Sequence, residues 1–591
     1  MFTPFYTGGQ IIAEHLVKEG VPYVVGIPGH GNLGLVDAFK EKADSLKMIQ
    51  VRHEQSACHL ADGFYRVSGK PLLVFTSIGP GAANTVIGLG TAFVDSTAMV
   101  VVTGETHTYS FGTGVLQELE RHHWADFLSV VRPVVKRTWL VTRVDQVPRV
   151  ISEAFRVSLT GRPGPVHIAL PMDIQADSAD VEIPEPLIAQ GIGRVRGDPA
   201  GIKKAAELLI KAERPLILAG GGVITSQASL ELIELAEFLG VPVITTLMGK
   251  GAVPEDHHLC AFYAGSKGST VGNKMATEAD VLLAVGCRFA DLSCSSYKPG
   301  ISFRIPPTKL IHIDIDQREI GKNYPAAIGI VGDAKAVLQD LITVVKALTR
   351  KRRYQESAYF KELQKLKTQW IALLEGLRAS DRIPMPVSRF LKELRVFLNR
   401  GAVVVGAAGH AQAQLFQEFP VYEPRTHVSS GGFSTMGWSV PAAIGVKLAS
   451  PERQVVAVCG DGDFQMGCKE LATAAQYDVP VVFCVLNNLG WLSIRDLQIS
   501  VYGKGRAYAT EFIREKTGER YSPDFVKLAE AYGCYAEHVE KPDDVKNALG
   551  NAFKAGKPAV LEVMTAYEHP YSEGATTGWW DVPIPTYLRR G

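Results

Sequence analysis

Nowhere in the 591 residues does an uninterrupted apolar run reach the ~18 residues that a membrane-spanning helix needs, so no membrane partner is expected. The N-terminal stretch MFTPFYTGGQIIAEHLVKEG lacks the basic-then-apolar order of a secretory signal, and its apolar spacing predicts an amphipathic helix instead. Cysteine is sparse. Eight are scattered along the chain and none forms a CxxC pair, so neither a disulfide scaffold nor a zinc site is expected; a reduced, cytoplasmic setting is. An excess of one charge is also missing. Sixty-two basic residues face 61 acidic ones, which leaves no basic stripe for nucleic acid and no acidic tail.

What the chain does have is length and a repeated strand-then-glycine punctuation. It is too long for one hydrophobic core. Residues 1–180 hold the strand-like runs VPYVVGIPG, PLLVFTS, AMVVVTG and PVHIALP between helical patterns. Residues 193–345 hold PLILAGGG, PVITT, VLLAVG and KLIHIDID, and residues 380–591 hold AVVVGAAG, QVVAVCG, VVFCVLNN and PAVLEVM. Apolar runs alternating with helices predict an α/β protein of three doubly wound parallel-sheet domains. The polar, Pro-containing DIQADSADVEIPEPLIAQGIG reads as a linker, RKRRYQESAYFKELQKLKTQW as a helical bridge, and the aromatic tail YEHPYSEGATTGWWDVPIPTYLRRG as a packed or lid-like segment.

The stretch GDGDFQMGCKELATAAQYDVPVVFCVLNN, from Gly460 to Asn488, raises a specific question. QVVAVCG reads as a buried strand ending at Asp461, the middle as a helix, and PVVFCVLNN as the next strand, ending at Asn488. A parallel crossover brings both strand ends to one sheet edge, where ligands of open α/β sheets bind. Asp461, the Asn488 side-chain oxygen and the Gly490 carbonyl are hard donors that suit Mg²⁺. Gly460 and Gly462 would let an anion approach. No GK[ST] follows, so this is not a P-loop. On these residues alone, ordinary strand-to-helix turns remain an equal alternative.

Distant segments change the weighing. GDG followed at this distance by NN resembles the thiamine diphosphate (ThDP) motif. VRHEQSACHLADGFYRVSGKP, TSIGPGAANTVIGLGTAF, SSGGFSTMGWSVPAAIGVKLASP, TTLMGKGAVPEDHHL, LIHIDIDQREIGKNYP and RPVVKRTWLV…GRPGPVHIALPMDIQ resemble, in order, segments of the acetolactate synthase family. The resemblance covers nearly the whole chain. It implies a pyrimidine-binding domain, a central domain and a diphosphate- and Mg²⁺-binding domain with the C-terminal tail. It assigns Glu54 to activation of the aminopyrimidine, a task helped by a dry site that raises a carboxyl pKa. Met436 is implied as the wedge under the cofactor, with the Ser434 carbonyl accepting from its amino group. Pro28, Gly29 and Asn84 should line the pyrimidine; Gly409, His410, Gly460, Asp461, Gly462, Asp463 and Asn488 should serve the diphosphate side, with Asp461, Asn488 and Gly490 on the metal. Half-sites from different subunits imply a homodimer or homotetramer. AGGG at 219–222 and Arg288 resemble the family's flavin-binding turn, whereas YAGSKGSTVGN departs from it, which leaves FAD open.

The substrate is a small carbonyl compound on this reading. The family resemblance implies carboligation or decarboxylation of pyruvate or another 2-oxo acid, with Gln117 and Lys136 as candidate substrate contacts. Details such as GHGN, VLQ and GAAG resemble instead trihydroxycyclohexane-dione hydrolase, which cleaves a C–C bond in a cyclic diketone. On that alternative His30 is an acid/base, His107 and His122–His123 are weaker candidates, and Trp491 crowds the substrate side. A non-catalytic relative is a third class, against which the presence of Glu54, Asp461 and Asn488 argues.

Overall fold

A computed structural model describes residues 5–119, 126–186, 193–503, 505–567 and 578–588. Three six-stranded sheets dominate it, and every strand pair in them is parallel. The reason is legible in the strands. Leu73–Thr76, Val281–Val285 and Val482–Asn487 are apolar, rich in β-branched residues and buried at every position, as strands covered on both faces must be.

The first sheet runs, edge to edge, Lys47–Gln50, Tyr23–Gly26, Leu73–Thr76, Met99–Glu105, Pro165–Pro171 and Thr138–Leu140. The third runs His427–Ser429, Val403–Gly406, Val455–Gly460, Val482–Asn487, Ala559–Met564 and Tyr535–Val539. Numbered by sequence within each sheet, both have the order 2-1-3-4-6-5. The middle sheet differs. Its strands Cys260–Tyr263, Val243–Thr245, Pro215–Ala219, Val281–Val285, Lys309–Asp314 and Ala326–Val331 give 3-2-1-4-5-6.

The two like sheets are joined through the helices that follow their second strands, Glu54–Ser68 and Ser439–Ala449. Glycine on each side permits the crossing. A Cβ on Gly63 would stand 2.2 Å from the Ala442 carbonyl oxygen, and one on Gly445 would stand 2.0 Å from that of Leu60. One continuous apolar core accordingly spans strands of both sheets, while the middle sheet has a core largely its own.

The N-terminal helix is Gly8–Lys18, opened by a Thr7–Gln10 capping box. The helical bridge is Ala358–Arg378. The expected linker is ordered at its start. Met172–Ala176 is helical, and Gln175 is buried there, donating to Gly31 and Leu170 carbonyls at 2.8 and 2.9 Å; Ser178–Asp180 then pairs antiparallel with Phe5–Thr7. Among the described residues no helix is long and apolar enough to cross a membrane.

Candidate active site

Each like sheet presents a cluster at the carboxyl ends of its strands, where open α/β folds bind ligands. On the third sheet, strand Val455–Gly460 ends in helix Asp461–Gly467. Asp461 is 1% exposed. Its Oδ1 accepts from the Gly462 N–H at 2.9 Å and its Oδ2 from the Gly490 N–H at 3.1 Å. Burial pushes this carboxyl up to about 6 against the partial relief of those N–H groups. The paired asparagines have different neighbours. Asn487 donates to Glu562 and Ser522 at 2.7 and 2.8 Å, which ties it into the sheet, and Asn488 follows beside the Leu489–Gly490 turn that reaches Asp461. Leu489 is held at φ +62°, so the turn doubles back.

The same edge carries two open glycines. A Cβ on Gly460 would meet nothing within 4 Å, and Gly409, at φ +73° where helix Gly409–Glu418 begins, would meet only Ser493 at 3.9 Å. His410 is buried with its Nε2 3.5 Å from Asp496. The segment after His427–Ser429 brings Ser434 and Met436 to this edge. Ser434 takes a left-handed φ of +54° and its N–H donates to Ser430 O at 2.7 Å.

Asp463, expected among the cofactor contacts, turns its carboxylate inward. It accepts from the Gly437 N–H and the Ser439 hydroxyl, both at 2.6 Å, and burial raises it to about 6. Its side chain thus braces the turn that follows Met436.

On the first sheet, Glu54 opens helix Glu54–Ser68 and is half-buried. Its Oε2 accepts from Asn84 Nδ2 at 2.9 Å, and a Cβ on Gly81 would stand 3.0 Å from its Oε1. Pro28 and Gly29 follow strand Tyr23–Gly26, with Gly29 against Ser77 and its N–H donating to Asn32 at 2.9 Å. His30 is exposed beside them. Gln117 is exposed at φ +67°, its backbone lying on the Gly79 turn, where a Cβ would stand 2.2 Å from the Gln117 oxygen. Sequence reasoning missed the residue that shapes this loop. Buried Glu118 accepts from the N–H groups of Gly112, Gly114 and Val115 at 2.5, 2.6 and 3.1 Å. The acidic pattern QELE gave no sign of which carboxylate turns inward.

Comparison with known proteins is decisive here. The family models for the thiamine pyrophosphate enzyme N-terminal TPP binding, central and C-terminal TPP binding domains match residues 6–124, 202–341 and 407–563. A probable acetolactate synthase large subunit of Methanocaldococcus jannaschii is 40% identical over 94% of this chain and 91% of its own. The acetolactate synthase large subunit of Haemophilus influenzae is 37% identical over 93% and 92%, and the isozyme 3 large subunit of Escherichia coli 34% over 93% and 92%. The chain belongs to the acetolactate synthase-like thiamine pyrophosphate enzymes.

In this thiamine pyrophosphate enzyme, the two TPP binding models fall on the two sheets of like strand order and the central model on the odd one. The third-sheet edge suits a metal-bound diphosphate on its own geometry. A desolvated carboxylate stands there, held by two backbone N–H groups at the strand edge that Asn488 also reaches, with open space over Gly460.

The central domain adds a cavity of about 670 Å³. It lies where the strand order reverses, between Pro215–Ala219 and Val281–Val285, and Gly222, Met248, Gly286, Arg288, Asp314 and Gly432 help line it. Glycines again allow close backbones, Gly222 against Gly286. Arg288 donates to Val94 O at 2.6 Å, and burial raises Asp314 to about 6.

Three further candidates have neighbours that the sequence did not announce. Lys136, expected as a substrate contact, turns into its own domain instead. It donates to the Val157, Thr160 and Arg162 carbonyls, the last two at 2.7 and 2.8 Å, and so caps helix Val147–Leu159; burial, then the nearby Arg162, lowers it to about 8. Trp491, expected to crowd the substrate side, packs over the turn after Asp461. Its ring covers Gly462, where a Cβ would lie 2.3 Å away, and meets Phe512 edge-on at 5.5 Å. His107 stacks on Tyr109 at 4.7 Å, and His122–His123 lie outside the described residues.

Proposed function

We propose that the protein is a ThDP- and Mg²⁺-dependent carboligase of the acetolactate synthase type, acting on pyruvate or another 2-oxo acid. The observation that carries this is the pair of like sheets, one edge presenting Glu54 with Asn84 and the other presenting Asp461 beside Asn488 and Gly490. ThDP supplies a carbon nucleophile and an electron sink, which lets bonds beside a carbonyl be made or broken. The Glu54 carboxyl holds a proton against the pyrimidine nitrogen, a ring that Pro28, Gly29 and Asn84 line. The Ser434 carbonyl and Met436 would hold the same ring. Asp461, the Asn488 oxygen and the Gly490 carbonyl hold Mg²⁺, while Gly460 and the Gly409–His410 helix start leave room and N–H groups for the phosphates; Gly462, whose N–H goes to Asp461 and whose face Trp491 covers, serves the turn instead. Asp463 acts through Gly437 and Ser439. Gln117 orients substrate.

On this reading the chain divides as 1–180, 193–345 and 380–591, and two subunits complete each site. Large apolar side chains exposed near both clusters, Leu116 at 72% and Phe433 at 46%, support at least a homodimer, of which a homotetramer is the doubled form. The central cavity's size, position and glycine turns favour FAD there; the visible spectrum of the purified protein tests it. Free cysteines fit a cytoplasmic setting.

A second reading, cleavage of a cyclic diketone, is favoured by exposed His30 beside Gly29 and Ser77, where it could move a proton to or from substrate. Protein supplied with ThDP and Mg²⁺ should be offered pyruvate, other 2-oxo acids and cyclic diones. Acetolactate with CO₂ from pyruvate supports the first reading. Turnover of a dione, with no CO₂ released from any 2-oxo acid, overturns it in favour of the second.

A further inference from the structure

The segment 429–438 joins strand His427–Ser429 to helix Ser439–Ala449 and carries Ser434 and Met436. A left-handed serine is a conformation that persists only where its surroundings over-determine it. Those surroundings centre on Arg66, which lies inside the VRHEQSACHLADGFYRVSGKP stretch though the resemblance assigns it no role there. Its Nη1 donates to Ser429 O at 2.5 Å, at the start of the segment. Its Nε and Nη2 grip Asp62 at 2.7 and 3.0 Å, and Asp62 accepts from Trp438 Nε1 at 2.8 Å, at the end. Nη2 also donates to Asp95 Oδ2 at 2.9 Å, and Asp95 Oδ1 accepts from the Gly432 N–H at 2.7 Å, in the middle. The three side chains are 9%, 0% and 0% exposed, so one buried guanidinium holds the segment at three points.

Asp95 and Gly432 also line the central cavity, together with Arg288. A Cβ on Gly432 would stand 2.4 Å from Asp95 Oδ1 and 2.8 Å from Arg288 Nη2, so whatever fills the cavity meets the same short stretch of backbone. Charge-assisted bonds in a buried, satisfied network are stiff, and removing one arm leaves its partner uncompensated.

We propose that Arg66 and Asp95 are positioning residues of the thiamine site. They fix the segment that supports the cofactor through Ser434 and Met436, and they tie its shape to occupancy of the central cavity. This rests on the reading of Ser434 and Met436 given above.

Hydrogen exchange on the full-length protein tests the first half without any ligand. Asp95→Asn leaves one oxygen for two donors; the guanidinium takes it, so the Gly432 amide should exchange at least about tenfold faster than in wild type. Calorimetry with Mg²⁺ present should then show ThDP binding weakened by about five- to fiftyfold in both Asp95→Asn and Arg66→Lys, with kcat lowered and KM for pyruvate within about twofold. Saturating FAD should tighten ThDP binding to wild type by at least about fivefold, and ThDP should tighten FAD by the same factor; in Asp95→Asn that factor should fall towards one. Should Asp95→Asn fail to fold, Asp95→Glu, which keeps the charge and displaces the carboxylate, takes its place. Unchanged exchange at Gly432, or unchanged ThDP affinity in the variants, overturns the positioning role. A wild-type ThDP affinity indifferent to FAD overturns the tie to the cavity. If wild type binds no ThDP, the cofactor reading itself falls; if it binds and the variants bind equally, only this proposal does.

Discussion

The first and third sheets share a strand order and differ in almost everything that order presents. Position for position, Pro28–His30 follows strand one of the first sheet as Gly409–His410 follows strand one of the third. Glu54 follows strand two as Ser434 and Met436 do. Ser77–Asn84 follows strand three as Asp461–Asp463 does. Gln117 follows strand four as Asn488 and Gly490 do. On the third sheet Asp461 and Asp463 are buried and take bonds from backbone N–H groups close to their strands, with Asn488 buried beside them. On the first the polar groups are half-buried or exposed and held by side chains or by a loop, such as the one Glu118 gathers. One topology thus supports a stiff anchor and an adjustable rim. The difference lies in the few residues after each strand, because the strands only deliver the chain to the edge.

The comparison can be broken from either side. The largest expected effect is from Glu54→Gln, which should lower kcat by about 10²–10⁴-fold while ThDP still binds, measured by steady-state rates beside calorimetry. Full activity would remove Glu54 from the chemistry. Asp461→Asn should act on the anchor instead. If Asp461 holds the metal as proposed, loss of its carboxylate should cost about 3–5 kcal/mol, hence more than about a hundredfold in Mg²⁺-dependent ThDP affinity, and rates at saturating cofactor should recover part of the loss.

The middle sheet supplies a control with no thiamine assignment. Asp314 sits near 6 in the fold, above the ordinary carboxyl value of 3.8. It therefore binds a proton more readily folded than unfolded, and its contribution to stability falls as pH rises from about 4 to 6. Asp314→Asn should stabilise the cofactor-free protein at pH 7.5 by up to about 3 kcal/mol, with the gain vanishing towards pH 4, read from denaturant titrations. A gain independent of pH would show another cause. The smallest effect should come from Lys136→Met. Leaving the carbonyls of Val157, Thr160 and Arg162 without their donor should cost about 1–3 kcal/mol of stability and leave KM for substrate within about twofold. A large KM change would return Lys136 to the substrate.

Much of this was legible in the sequence, and the limits are physical. Apolar, β-branched runs announced the strands, and local signals such as Thr7–Gln10 announced the first helix. GDG, NN, HEQ and GPGAAN each mark a strand end, so the residues gathered at the two edges could be named in advance. Partners supplied from far along the chain could not. Lys136 meets carbonyls 21 to 26 residues away, and nothing in RPVVK says so. Trp491 finds Gly462 and Asp463 finds Gly437 only once the edge is assembled. Of two adjacent asparagines, which one the sheet ties down is decided by Glu562, on a neighbouring strand. Likewise the shared strand order of the outer sheets, against the different middle one, is a property of pairing that similar strand–glycine turns did not distinguish.

The crossing of Gly63 on Ala442 and Gly445 on Leu60 has a consequence for how such chains can be recombined. A side chain larger than hydrogen at either glycine would push apart two helices that belong to different sheets and one core. The outer domains are therefore a single inheritable unit, and a chimera that takes the first from one relative and the third from another must match both faces of that crossing at once. The middle domain has a core largely its own, so an exchange there must preserve polar contacts instead, such as Arg288 on the Val94 carbonyl and Lys250 on that of Phe416.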